Sequence, residues 1–200
     1  MLISCITFTN GYSDWQINES INSFYAQTYP EKQLIIINNR PTLKECLEFK
    51  ILFHKDVCII DRPGLSNANA LLNSAKLASG QVIAHFPFDF YSSPKRLELS
   101  LKHIIEYKSD LVSPPGYIEV DSKGELHKYT HPNYTIGELC VYKRPAFRDD
   151  LDIDIGVWWQ YTLLAHKHGH QIISIENIDL ALKIPYAKPP NFNLDLYKWT

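Results

Sequence analysis

The feature that most constrains this chain is an alternation that runs from its first residues to Phe86. Short apolar, β-rich runs at 2–8, 34–37, 57–60 and 81–86 are separated by segments whose apolar residues recur at helical spacing. Ile17, Ile21, Phe24 and Tyr25 form one such helical set, which stops at Gln27-Thr28-Tyr29-Pro30. Further helices are expected over 43–53 and 68–78, the second with Gly80 just past its end, where a C-terminal glycine belongs. Strands with no polar alternation, joined by helices, need cover on both faces. The expectation is therefore a single α/β domain with a mostly parallel sheet flanked by helices. Ligands bind such sheets beyond the carboxyl ends of the strands. Those ends are Thr9-Asn10, Asn38-Asn39, Asp61-Arg62 and Pro87-Phe88-Asp89, all polar or irregular.

The second half is less regular. A helix is expected over 94–107, strands at 111–112, 117–120, 136–142 and 172–175, and a helix over 157–167 closed by Gly169. Asp121-Ser122-Lys123-Gly124 is hairpin-turn chemistry. No repeat or linker divides the 200 residues, so one domain over 1–184 with a tail over 185–200 packed on it is the expected organisation.

Twenty basic and twenty-two acidic side chains leave a net charge of −2, which gives no strong field toward nucleic acid or an anionic membrane. Cys5, Cys46, Cys58 and Cys140 lack metal or disulfide spacing and read as buried free thiols. With a strand starting almost at Met1 and no apolar run of membrane-spanning length, a cytoplasmic protein without a signal peptide or transmembrane segment is expected.

Four stretches carry a more specific signal: Ser4 to Asn10 (SCITFTN), Ile21 to Pro30 (INSFYAQTYP), Leu77 to Ala84 (LASGQVIA) and Tyr91 to Glu98 (YSSPKRLE). In this order and spacing they resemble family 2 glycosyltransferases with the GT-A, Rossmann-like fold. The likeness runs from residue 2 to about 98 and returns weakly over 136–180. The chain also departs from that pattern. Phe8 replaces a proline, Asn38-Asn39 stands where the family has Asp-Asp, and the Asp-x-Asp motif falls on Pro87-Phe88-Asp89. No arginine equivalent to the family's is evident in 67–73.

The resemblance implies a transferase that moves a sugar from a nucleotide-diphosphate-sugar donor to an acceptor hydroxyl. Thr9, Asn38 and Asn39 would then touch the nucleotide, although Asn-Asn-Arg-Pro is also good turn chemistry. Asp89 would hold Mn²⁺ or Mg²⁺ on the diphosphate, since these hard cations accept a sparse carboxylate shell completed by phosphate and water. Inversion needs a carboxylate base, for which Asp154 comes first and Asp152 second; Asp154 also suits a helix N-cap. Trp158 or Trp159 could stack on an acceptor sugar, while His166, His168 and His170 read as surface residues. The acceptor is open, a glycan or a modified nucleic-acid base. The missing first aspartate leaves a third reading, a catalytically inactive nucleotide- or sugar-binding protein.

Overall fold

The computed structural model describes residues 1–40, 56–130, 139–146, 169–175, 181–186 and 188. The expected helices over 43–53 and 157–167, Cys46, Asp152, Asp154, Trp158, Trp159, His166, His168 and most of the tail lie outside the described residues.

The chain runs β1 (Ile3–Phe8), α1 (Asp14–Tyr25), β2 (Lys32–Asn38), β3 (Val57–Asp61), α2 (Asn67–Leu77) and β4 (Val82–His85). Then follow β5 (Phe90–Ser92), α3 (Arg96–Glu106), β6 (Leu111–Ser113), β7 (Gly116–Val120) and β8 (Leu126–Thr130), and last β9 (Val141–Lys143), β10 (Ile172–Ser174) and β11 (Ala181–Lys183). Seven strands form the main sheet in the order β10-β6-β9-β4-β1-β2-β3. It is parallel except at β9, which lies antiparallel to both β4 and β6.

Alternate residues of each strand feed two cores. Ile3 and Cys5 of β1 with Leu34 and Ile36 of β2 meet Ile17, Ile21 and Phe24 of α1 and Leu97, Leu101 and Ile104 of α3. Ile6, Phe8, Ile35 and Ile37 meet Ala70, Leu71 and Ala75 of α2 on the other face. Burial on both faces is the reason these strands show no polar alternation. α1 starts on a capping box in which Ser13 accepts from the Gln16 N–H and Gln16 reaches back to the Ser13 N–H.

A second sheet, β5-β11-β7-β8, stands beside the first. The sequence reading contained β7 and the following turn but neither β5 nor β11, three-residue strands too short to show a period. Of the strand expected over 136–142, residues 136–138 lie outside the described residues, and the strand seen there is Val141–Lys143.

Two expectations need correction. Gly80 is not the C-terminal glycine of α2, which ends at Leu77 with Ala78 as its cap in extended conformation. Its role is steric: a Cβ there would meet the Leu2 carbonyl oxygen at 2.6 Å and Ser4 Oγ at 2.7 Å, because the Gly80 N–H donates to Ser4 Oγ at 2.8 Å. Cys58 is exposed, unlike Cys5 and Cys140, because β3 is the outermost strand of its sheet.

Gly80→Ala is expected to destabilise the protein by about 1–3 kcal/mol, since the obstructing Leu2 oxygen is backbone and cannot rotate away. An unchanged urea midpoint would contradict this. Burial pushes the Cys5 thiol up to about 12. Thiol-reactive reagent should therefore label Cys58 in the native protein and Cys5 only after unfolding, read by peptide mass spectrometry. Equal labelling would overturn the assignment. Because the folded thiol holds its proton to higher pH than the unfolded one, its stability contribution is full below pH 9 and is lost between 9 and about 12.

Candidate functional site

The carboxyl ends of β1, β2 and β3 and the start of α2 are joined by one side-chain network. Asn39 is 1% exposed and lies at its centre. Its Oδ1 accepts the backbone N–H groups of Thr9 at 3.2 Å and Asn10 at 2.9 Å. Its Nδ2 donates to the Leu65 carbonyl at 2.8 Å and to Asn67 Oδ1 at 3.0 Å. Both lone pairs and both N–H groups of the carboxamide are engaged. An aspartate here could make the first two bonds and neither of the last two.

Asn38, equally buried, works the same way across the strands. The Thr9 hydroxyl donates to Asn38 Oδ1 at 2.8 Å, and Asn38 Nδ2 donates to Asp61 Oδ1 at 2.8 Å. Because Asp61 can only accept, the amide orientation is fixed. Thr9, Asn38 and Asn39 are thus brought together at the carboxyl ends of β1 and β2. All three are buried, however, and their polar groups are turned on one another, so they shape the edge of the sheet from below its surface.

The groups above this layer are those the sequence reading did not single out. An open cleft of about 420 Å³ is lined by Asn10, Gly11, Tyr12, Ser13, Asp14, Arg40 and Tyr186. Gly11 holds φ at +92° with nothing near its Cβ position, so the tight turn after β1 requires glycine for its backbone and not for space. The Arg40 guanidinium donates to the Tyr12 carbonyl at 3.0 Å and pairs with Asp14 at 2.7 Å. The amino end of α1 opens on the same cleft, a favourable place for an anion. Tyr186 is tied in by the Ser13 hydroxyl, which donates to its carbonyl at 2.6 Å.

Asp89 lies in the turn between β4 and β5 and is half-buried. The preceding Phe88 meets the Tyr12 ring edge-on at 5.8 Å, which joins this turn to the cleft. Pro87 occupies the first acidic position and is buried, its carbonyl accepting from Ser20 at 3.3 Å. Of the three motif positions only Asp89 carries a side-chain oxygen that could meet a cation. One carboxylate suits Mg²⁺ or Mn²⁺ when phosphate and water complete the shell, so the residues present fit such an ion. Among the described residues, the one grouping of three ligand-type side chains is Asp121, Glu125 and His127, on the β7–β8 hairpin. There Asp121 Oδ1 caps the Lys123 and Glu125 N–H groups at 2.8 Å each, which accounts for the carboxylate in the turn. His170, half-buried, lies 3.5 Å from Asp110.

Arg96 holds the Asp89 turn in place. It is 1% exposed and donates to the His85 carbonyl at 2.7 Å, the Leu139 carbonyl at 3.2 Å and Ser92 Oγ at 2.8 Å, with its guanidinium over the Phe86 ring at 5.4 Å. His85 ends β4 and Ser92 ends β5, so one side chain bridges the two strands that flank the turn. Burial is the main reason its basicity is drawn down to about 10. In Arg96→Met, three acceptors lose their donor, each worth about 1–3 kcal/mol, while one buried charge is relieved. The expected net loss is about 2 kcal/mol by urea unfolding; a more stable variant would contradict this clamp.

The family model described as glycosyl transferase family 2 matches residues 5–160. No curated protein matches the chain. Solved structures similar to it include S. aureus TarS, with a TM-score of 0.70 at 17% identity, covering 92% of this chain and 37% of that one. TarS 1–349 in complex with UDP-GlcNAc gives a TM-score of 0.69 at 17% identity, covering 94% of this chain and 60% of the other. The mannosyltransferase PcManGT from Pyrobaculum calidifontis, in complex with GDP-Man and Mn²⁺, gives 0.65 at 14% identity, covering 94% and 58%. These likenesses bear on the fold, and the chain spans less than two thirds of the length of each.

Proposed function

The chain belongs to glycosyl transferase family 2, and on that premise we propose that it transfers a sugar from a nucleotide-diphosphate-sugar donor to an acceptor hydroxyl. The observation that carries the reading is the place of Asp89 within the matched region: a carboxylate at the carboxyl edge of the sheet, in a turn packed against the cleft beyond β1. The complexes of similar folds with UDP-GlcNAc and with GDP-Man and Mn²⁺ add support for the donor class and the cation.

In this reading the nucleotide lies over the floor formed by Thr9, Asn38 and Asn39, with Asn10 and Arg40 beside it. Asp89 is the residue that would hold Mn²⁺ or Mg²⁺, and such a cation would supply stabilisation of the charge that grows on the leaving group. Arg96 keeps the Asp89 turn fixed, so little reorganisation accompanies transfer. Asp154, with Asp152 as the second candidate, takes the proton of the acceptor hydroxyl as its oxygen attacks the anomeric carbon, which gives inversion in one displacement. Both aspartates are assigned from sequence position. The donor sugar in this reading is a hexose or a pentose, and the acceptor a glycan or a modified nucleic-acid base.

A second reading, binding of a nucleotide sugar without turnover, is favoured by Pro87 at the first motif position. A panel of nucleotide sugars with Mn²⁺ or Mg²⁺ separates the two. Turnover of at least one donor is expected, falling by about 10²-fold or more in Asp89→Ala. Asp154→Ala should lower turnover by about 10²–10⁴-fold with donor affinity kept. Metal-independent binding with no turnover of any donor would leave only the second reading.

A further inference from the structure

Residues 181–186 run from the Asp89 turn to the cleft and end on an aromatic ring in solvent. β11 pairs with β5 as far as Lys183, opposite Phe90. The Ile184 N–H then donates to the Asp89 carbonyl at 2.7 Å, and the Ile184 carbonyl accepts from Gln16 Nε2 at 3.1 Å. Ile184 is 2% exposed, in a cluster against which Trp15 of α1 packs. Pro185 follows, its φ locked by the ring. The Tyr186 carbonyl accepts from Ser13 Oγ at 2.6 Å. The main chain is thus pinned on both sides of the proline. Tyr186 itself is nevertheless 66% exposed, and it lines the cleft together with Asn10, Gly11, Tyr12 and Arg40.

A single exposed tyrosine is ordinary on a protein surface. This one differs because its main chain is already ordered at the wall of a concave cleft, so a ligand that covers the ring need not order the backbone first. The cleft suits a flat group. Nothing lies within 4 Å of the Cβ position of Gly11, so the cleft is open there. In the layer below, Thr9, Asn38 and Asn39 direct their polar groups at one another and at adjacent strands and loops. Grip on a planar ring then falls to stacking. We propose that Tyr186 is the stacking face of this site, its ring lying against the base of a nucleotide held in the cleft, a contact that every base can make through its π-face. This rests on the nucleotide-sugar reading above and names the residue that grips the base. The backbone of 184–186 also ties that ring to the Asp89 turn, so the two ends of the nucleotide site are held in fixed relation.

The test is calorimetric titration of the whole chain with UDP, dTDP, CDP, GDP and ADP in the presence of Mn²⁺. Tyr186→Ala should weaken whichever nucleotides bind by about tenfold, purines at least as much as pyrimidines because they offer the larger face. Tyr186→Phe keeps the ring and should bind within about twofold of the unaltered chain. Without ligand, both variants should keep the thermal midpoint of the unaltered chain, since the bond to Ser13 is made by the backbone. Unchanged affinity in Tyr186→Ala overturns the proposal alone. So does an equal loss in Tyr186→Phe, which would make the hydroxyl the contact, or a fall in midpoint alongside the lost binding, which would make the ring structural. Failure of the unaltered chain to bind any nucleoside diphosphate overturns both the proposal and the nucleotide-sugar reading.

Discussion

Asn39 fastens the carboxyl end of β1 to the loop that enters α2, using all four hydrogen-bonding positions of one buried carboxamide. The rest of the site depends on that knot. It fixes where β1 stops and where the Gly11 turn begins, and so where the walls of the cleft stand. Removing it would take the partner from the Asn10 N–H and the Leu65 carbonyl, a cost of the order of 1–3 kcal/mol for each group, while the Thr9 N–H keeps its bond to the Ile37 carbonyl at 3.1 Å. Asn38 repeats the device one residue earlier, tying β1 through β2 to β3. Two asparagines in place of two aspartates are therefore not simple erosion of an acidic motif. They exchange charge for donor groups, and the donors are used.

The same logic separates the two halves of the damaged-looking metal motif. Pro87 is buried and Phe88 packs on Tyr12, so these two residues serve the walls. Asp89 alone keeps a carboxylate in the turn, and that turn is braced on three sides. Arg96 bridges the flanking strands β4 and β5, Ser20 holds the Pro87 carbonyl, and the Ile184 N–H donates to the Asp89 carbonyl at 2.7 Å. A sparse ligand shell held rigidly is a workable arrangement for a cation whose other ligands arrive with the donor.

The central part of the fold was legible in the sequence because burial on both faces leaves a plain mark, apolar runs such as Leu34–Ile37 without alternation. The second sheet was not, since β5 and β11 are three residues long and gain their pairing from partners far along the chain. The reversal of β9 was likewise invisible, as an apolar run carries no direction. Gly80 was noticed for the wrong reason: its value lies in contact with Leu2 and Ser4, more than seventy residues away. Asn38 and Asn39 were visible as a strand end and a turn. Which atoms they would engage was not, because their partners at Thr9, Asp61 and Asn67 lie 23–30 residues distant.

A crystal structure with a nucleoside diphosphate and Mn²⁺ tests the central claim most directly. The expected result is a diphosphate lying across the carboxyl ends of β1, β2 and β4, with the cation about 2.0–2.3 Å from an Asp89 carboxylate oxygen. A nucleotide bound away from that edge, or a cation bridging the diphosphate with no contact to Asp89, would contradict it.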